Sequence, residues 1–93
     1  RPMSTLEAFG RDPDLNADAL AALVRERLPI EAPVFAWDRG ALALLPFVQP
    51  ADVADLATDL EQHLDVVARP SMLDGGALFE PGSGRMRAAL TAS

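Results

Sequence analysis

The chain has 93 residues, 49% of them apolar, a formal charge of −6 from 14 acidic and 8 basic side chains, and no cysteine. That length makes one small domain with a single core. The missing cysteines exclude disulfides, thiolate metal sites and cysteine nucleophiles, and the negative balance disfavours nucleic acid and anionic membrane surfaces as partners.

No apolar run approaches the ~20 residues that span a bilayer, and no charged-then-apolar leader opens the chain. A cytoplasmic setting is the simplest reading. The start at Arg1 reads as a domain excised from a longer protein or as a processed chain. Every base is Arg and alanine is abundant, which fits the codon bias of a GC-rich genome.

Residues 1–14 are a lead-in or, over Met3–Phe9, an extra strand, closed by the turn Arg11-Asp12-Pro13-Asp14. Asn16 is a good N-cap, and Leu20, Leu23, Val24 and Leu28 follow at helical spacing, so a first helix is expected over 17–28, stopped by Pro29. Pro33–Trp37 is a short apolar run. Asp38-Arg39-Gly40 supplies a tight turn, with Gly40 free to take a positive φ. The longer apolar run 41–48 reads as a central strand covered on both faces.

Pro50 then suits a first helical turn, and Val53, Leu56, Leu60 and Leu64 form the apolar stripe of a second helix over 51–64. Residues 65–73 read as a strand interrupted by Pro70, and therefore at an edge or bulged. Asp74-Gly75 is a hairpin turn signal. Ala77–Phe79 returns as a short strand or extended segment with an exposed edge, and a last helix is expected over 84–92 with Met86, Ala89 and Leu90 inward.

Residues 15–44 and 51–80 align without a gap at 8 identities in 30 pairs. This 36-residue internal repeat points to a helix followed by a β-hairpin, used twice, within one α+β domain over 15–93. Two helices then cover one face of a mostly antiparallel sheet. If Met3–Phe9 adds a strand, the order becomes the split βαβ arrangement of a ferredoxin-like two-layer sandwich.

No segment announces catalysis, and no cofactor is expected. His63, the single histidine, sits beside Asp59 near a helix end, where a solvated residue is the plain reading. Asp52, Asp55 and Asp59 lie along one helical stripe with no neighbouring Lys or Arg in the sequence, which leaves a negative patch suited to a basic protein partner. One helix face rarely supplies the converging oxygens of a metal site. The turn Trp37-Asp38-Arg39-Gly40 is the candidate ligand-binding element, with Trp37 favoured as a core residue over an exposed anchor. Asp38 and Asp74, at equivalent turns, are the only carboxylates that metal-assisted chemistry would have to work with, and they lack the convergent polar groups of an active site.

Val34-Phe35-Ala36-Trp37, a turn, Ala41-Leu42-Ala43-Leu44-Leu45-Pro46 and a helix opening at Pro50-Ala51-Asp52 together resemble the central hairpin and following helix of GGDEF-type nucleotide-cyclase palm domains. The similarity covers about half the chain. Aligned from Leu44-Leu45-Pro46, the family signature falls on Trp37-Asp38-Arg39-Gly40-Ala41, without its paired glycines or its acids. The resemblance therefore implies a degenerate, non-catalytic domain, acting as a nucleotide sensor or a dimerisation module in a bacterial regulator. The small, acidic, leucine-rich helix–hairpin–helix pattern is also similar to the type III secretion chaperones. That resemblance implies an acidic dimer holding a protein segment along its surface.

Overall fold

The computed structural model describes residues 2–74. They form the order β1 (Pro2–Gly10), α1 (Ala17–Arg27), β2 (Val34–Trp37), β3 (Gly40–Leu45), α2 (Pro50–His63) and β4 (Val66–Asp74). The four strands make one antiparallel sheet in the order β2-β3-β1-β4. Both helices pack on one face, which is the ferredoxin-like two-layer arrangement. The expected strand at Ala77–Phe79 with its edge, the second half of the Asp74-Gly75 turn and the helix over 84–92 lie outside the described residues.

Each helix is set by local chemistry. The Asn16 side chain accepts from the Ala19 N–H at 2.8 Å, satisfying one of the free donors of the first turn of α1. Leu20, Ala21 and Val24 are the buried face of that helix. In α2 the cap residue Gln49 makes no side-chain bond, and Pro50 at the start removes a donor that would otherwise need a partner. Val53, Ala57 and Leu60 face inward. These side chains meet Leu6 and Ala8 of β1, Ala41, Ala43 and Leu45 of β3, and Val66 and Ala68 of β4 in one continuous core. Full burial of each leucine contributes about 2–3 kcal/mol. Ser4 is buried at the end of this layer, and its hydroxyl donates to the Val48 carbonyl at 2.9 Å, pinning the β3–α2 connection to β1.

Two strand expectations need correction. The apolar run 41–48 is longer than its strand. Pairing with β1 ends at Ser4↔Leu45, and the Val48 N–H turns back to the Leu45 carbonyl at 3.2 Å, so Pro46 and Phe47 leave the sheet and Phe47 is 96% exposed. Strand β4 is not interrupted at Pro70: its register with β1 runs unbroken from Gly10↔Val66 to Pro2↔Asp74, through Leu6↔Pro70. The Arg11 N–H donates to the Asp65 carbonyl at 3.0 Å. Counting along the ladder from that rung places Pro70 at a position whose amide would point away from β1, so the missing N–H costs the sheet nothing.

The outward-facing backbone of the edge strands is managed explicitly. On β4 the Val66 N–H donates to the Leu64 carbonyl at 2.9 Å, the Ala68 N–H donates to the Glu61 carboxylate at 3.1 Å, and Pro70 has no N–H to offer. On β2 the outward carbonyl of Val34 accepts from the Arg25 guanidinium.

Candidate functional site

The turn singled out from the sequence is built differently from expectation. Trp37 pairs with Gly40, so Asp38 and Arg39 are the two turn residues. The positive φ falls on Asp38 (55°), not on Gly40, and among the described residues no other non-glycine side chain has one. Asp tolerates that region better than most residues because its short side chain bonds locally.

Gly40 is required for another reason. It lies directly across from Phe9 in the extended β1–β3 register, and a Cβ there would overlap the Ala8 carbonyl oxygen and stand 2.9 Å from the Phe9 ring. The glycine lets two strands and an aromatic ring close on one another.

Folding brings this turn beside two other elements. The end of β1 at Gly10, the loop carrying Asp12, the start of α1 at Asn16, and Asp38 and Arg39 of the turn line one cleft of about 470 Å³. Asp12 shapes its own loop, accepting from the Asp14 N–H at 2.9 Å. Asp12, Asn16, Asp38 and Arg39 are all exposed, so the charged rim is accessible to a ligand. Asp12 and Asn16 line this cleft too, although the sequence assigns them only to a turn and a cap. Their proximity to Asp38 follows from strand order and carries no sequence signal.

Trp37 does not point into that cleft. With Phe35 and Leu44 it packs against the cluster of Leu42 and Leu73 on the sheet face opposite the helices, where it is half-buried. It is thus a packing residue of the second face and does not line the cleft beside Asp38 and Arg39.

The acidic stripe on α2 is also divided. Asp52 and Asp55 are exposed, without an ion-pair partner among the described residues. Asp59 is not uncompensated: the Arg27 guanidinium from α1 donates to both carboxylate oxygens at 2.9 Å, a bidentate pair across the two helices. The sequence shows no Lys or Arg near Asp59 because its partner is 32 residues away. The hydrogen bond and charge of Arg27 hold the Asp59 carboxyl below its ordinary 3.8, with His63 adding to the effect. His63 Nδ1 stands 3.2 Å from the Asp59 carboxylate and 2.9 Å from its backbone carbonyl.

A larger, shallower groove of about 710 Å³ runs along Leu28–Pro33 beside the edge of β2. It is mostly apolar, and Arg25 at its margin is already committed to the Val34 carbonyl. Among the described residues no three His, Asp or Glu side chains converge to hold a metal ion, and no helix is long and apolar enough to cross a membrane.

Comparison of the chain with protein-family models, with characterised proteins and with solved structures returns no match. The functional reading rests on the residues and their placement.

Proposed function

We propose that this domain is a non-catalytic regulatory module of a bacterial protein, with a nucleotide ligand seated at the cleft between β1, α1 and the β2–β3 turn. The observation that carries the reading is the convergence of Asp38 and Arg39 with Asp12 and the start of α1 around one accessible cleft. Arg39 offers a phosphate a cation, and the first turn of a helix favours negative charge. The neighbouring carboxylates oppose a bare anion, so a divalent cation accompanying the phosphates is part of the expected ligand. The resemblance of residues 33–64 to a GGDEF-type palm that has lost its acids points the same way. Regulation then passes to a protein partner or to a second copy of the chain.

The test is a thermal-shift screen against guanine and adenine nucleotides, cyclic dinucleotides included, with and without Mg²⁺. A ligand at 100 times its Kd stabilises by ~2.7 kcal/mol, which is roughly 10 °C or more for a domain of this size. A shift that disappears in Arg39→Ala supports the cleft. No shift with any nucleotide sinks the nucleotide reading.

A second reading is an acidic, chaperone-like domain that holds a basic protein segment. The exposed Asp52 and Asp55, without an ion-pair partner among the described residues, favour it. Charge reversal of both would then weaken partner binding, most strongly at low salt, and unchanged binding would count against it.

A further inference from the structure

Strand β2 is one end of the sheet, and its open edge is closed only in part. The Leu44 N–H donates to the Pro33 carbonyl at 3.0 Å, and Trp37 pairs with Gly40 across the turn. Antiparallel bonding alternates along a strand, so Phe35 bonds inward and the backbone groups of Val34 and Ala36 point outward. Arg25 closes the Val34 carbonyl. The Val34 N–H, the Ala36 N–H and the Ala36 carbonyl have no hydrogen-bond partner among the described residues. Beside them lies the groove of about 710 Å³, lined by Leu28 and by Ile30, which is 42% exposed. Glu26 and Glu31 also line it, both exposed and without an ion-pair partner among the described residues. Arg25 is the one base there, so the groove keeps a net negative charge.

We infer that this edge and groove take an extended, basic peptide of a partner protein as an added strand. The outward groups of Val34 and Ala36 give two donors and one acceptor to a chain laid alongside β2. An edge strand of four residues spans about 13 Å, so the peptide engages over roughly four to six residues. Alternate side chains of that peptide fall on the groove side. A lysine or arginine there lays its methylenes along Leu28 and Ile30 and brings its charge to Glu26 and Glu31. An acidic peptide meets the same carboxylates and is repelled. A second copy of the chain is the poorer occupant, because pairing β2 with β2 about a two-fold axis sets two acidic rims together, each on a protein of charge −6. The groove shares no residue with the cleft at the β2–β3 turn, so this inference goes beyond the nucleotide reading and does not rest on it.

The test is fluorescence anisotropy of a labelled, capped hexapeptide alternating valine and lysine, titrated with the full-length protein, beside a valine–glutamate hexapeptide. The expected result is saturable binding of the first and none of the second. Glu26→Lys together with Glu31→Lys weakens binding roughly tenfold at low salt and less at high salt. Asp52→Lys together with Asp55→Lys weakens it less than that pair does. Methylating every second peptide amide abolishes binding in one register and spares it in the other, because only alternate amides of an added strand face β2. On binding, the Val34 and Ala36 amides gain protection from hydrogen exchange. No binding of the valine–lysine peptide overturns the inference. So does binding that survives methylation in both registers, or a bound state in which the Val34 and Ala36 amides stay unprotected. Greater sensitivity to Asp52 and Asp55 than to Glu26 and Glu31 also overturns it and moves the basic segment to α2. The methylation and exchange measurements use the unaltered chain, so they decide the matter if a variant does not fold.

Discussion

Glycine-to-alanine substitution has opposite consequences at two positions of this domain, and the contrast tests the account of the β2–β3 turn. Where the backbone is compatible and space is available, Gly→Ala stabilises by about 0.4–1 kcal/mol, because the unfolded chain loses freedom. Gly10 meets that condition: a Cβ there would find Leu15 at 3.5 Å, Leu20 at 3.8 Å and the Asp12 carbonyl at 3.9 Å, all ordinary contacts. Gly40 does not. Its Cβ would overlap the Ala8 carbonyl oxygen and crowd the Phe9 ring at 2.9 and 3.2 Å. The ring can rotate, but the oxygen belongs to the Ala8↔Ala41 rung of the ladder and cannot retreat without parting the two central strands. Overpacking of this kind costs about 1–3 kcal/mol, and backbone involvement places Gly40→Ala at the upper end. At about 4–8 °C per kcal/mol for a domain of this size, Gly40→Ala should melt roughly 10–20 °C below the parent and Gly10→Ala a few degrees above it. Urea titration at constant m-value checks that the native state is what changed. If Gly40→Ala is as stable as Gly10→Ala, the close approach of β1 to the turn is wrong, and Gly40 has no packing role.

Three further expectations concern single side chains. Asp38→Gly should stabilise by about 0.5–1 kcal/mol and Asp38→Val destabilise by about 1–2 kcal/mol, because the residue holds a left-handed conformation; equal stabilities by denaturant titration would contradict the φ of 55°. Asp59 is depressed below 3.8 by Arg27, so the stability the pair contributes is fully present above the unfolded carboxyl range and is lost as pH falls through the lower folded value. The stability gap between the parent and Arg27→Ala should therefore narrow below about pH 4 and with added salt, and a gap that widens on acidification would refute the assignment. The Thr5 hydroxyl is buried without a hydrogen-bond partner among the described residues, so Thr5→Val, which keeps the shape, should stabilise by about 1 kcal/mol; a loss measured by thermal unfolding would show that the hydroxyl is bonded.

The two helices were legible because each carries its own period and boundary chemistry. Asn16 and Pro29 bracket α1, Pro50 opens α2, and the apolar stripes lie between them. The placement of Pro70 on an edge strand was legible too, since a residue without an amide has few places to sit in a sheet. What depended on tertiary placement was not. Phe47 belongs to an apolar run indistinguishable from strand until the pairing of β3 with β1 stops at Ser4↔Leu45. Gly40 is a glycine for the sake of Ala8 and Phe9, which no local pattern records. The cleft joins Asp12 to Asp38 across an intervening helix, and Arg27 neutralises Asp59 from another element altogether. The 36-residue alignment sets α1 on α2 and β2 on the second half of β4, the two strands that end the described sheet. The return strand expected for its second hairpin lies outside the described residues.

The treatment of the sheet margins bears on how the domain behaves when many copies are crowded together. A strand whose outward amides are bare is a template on which another chain can extend, and from which fibrils grow. Here Glu61 and Pro70 remove two such amides on β4, the Leu64 carbonyl takes a third, and Arg25 occupies a carbonyl on β2. Tandem copies, or a high local density on a scaffold, can thus be tolerated without strand exchange. The protection is held by a few side chains that contribute little to the core. A variant lacking Glu61 and Arg25 should fold, melt near the parent, and still deposit on prolonged storage.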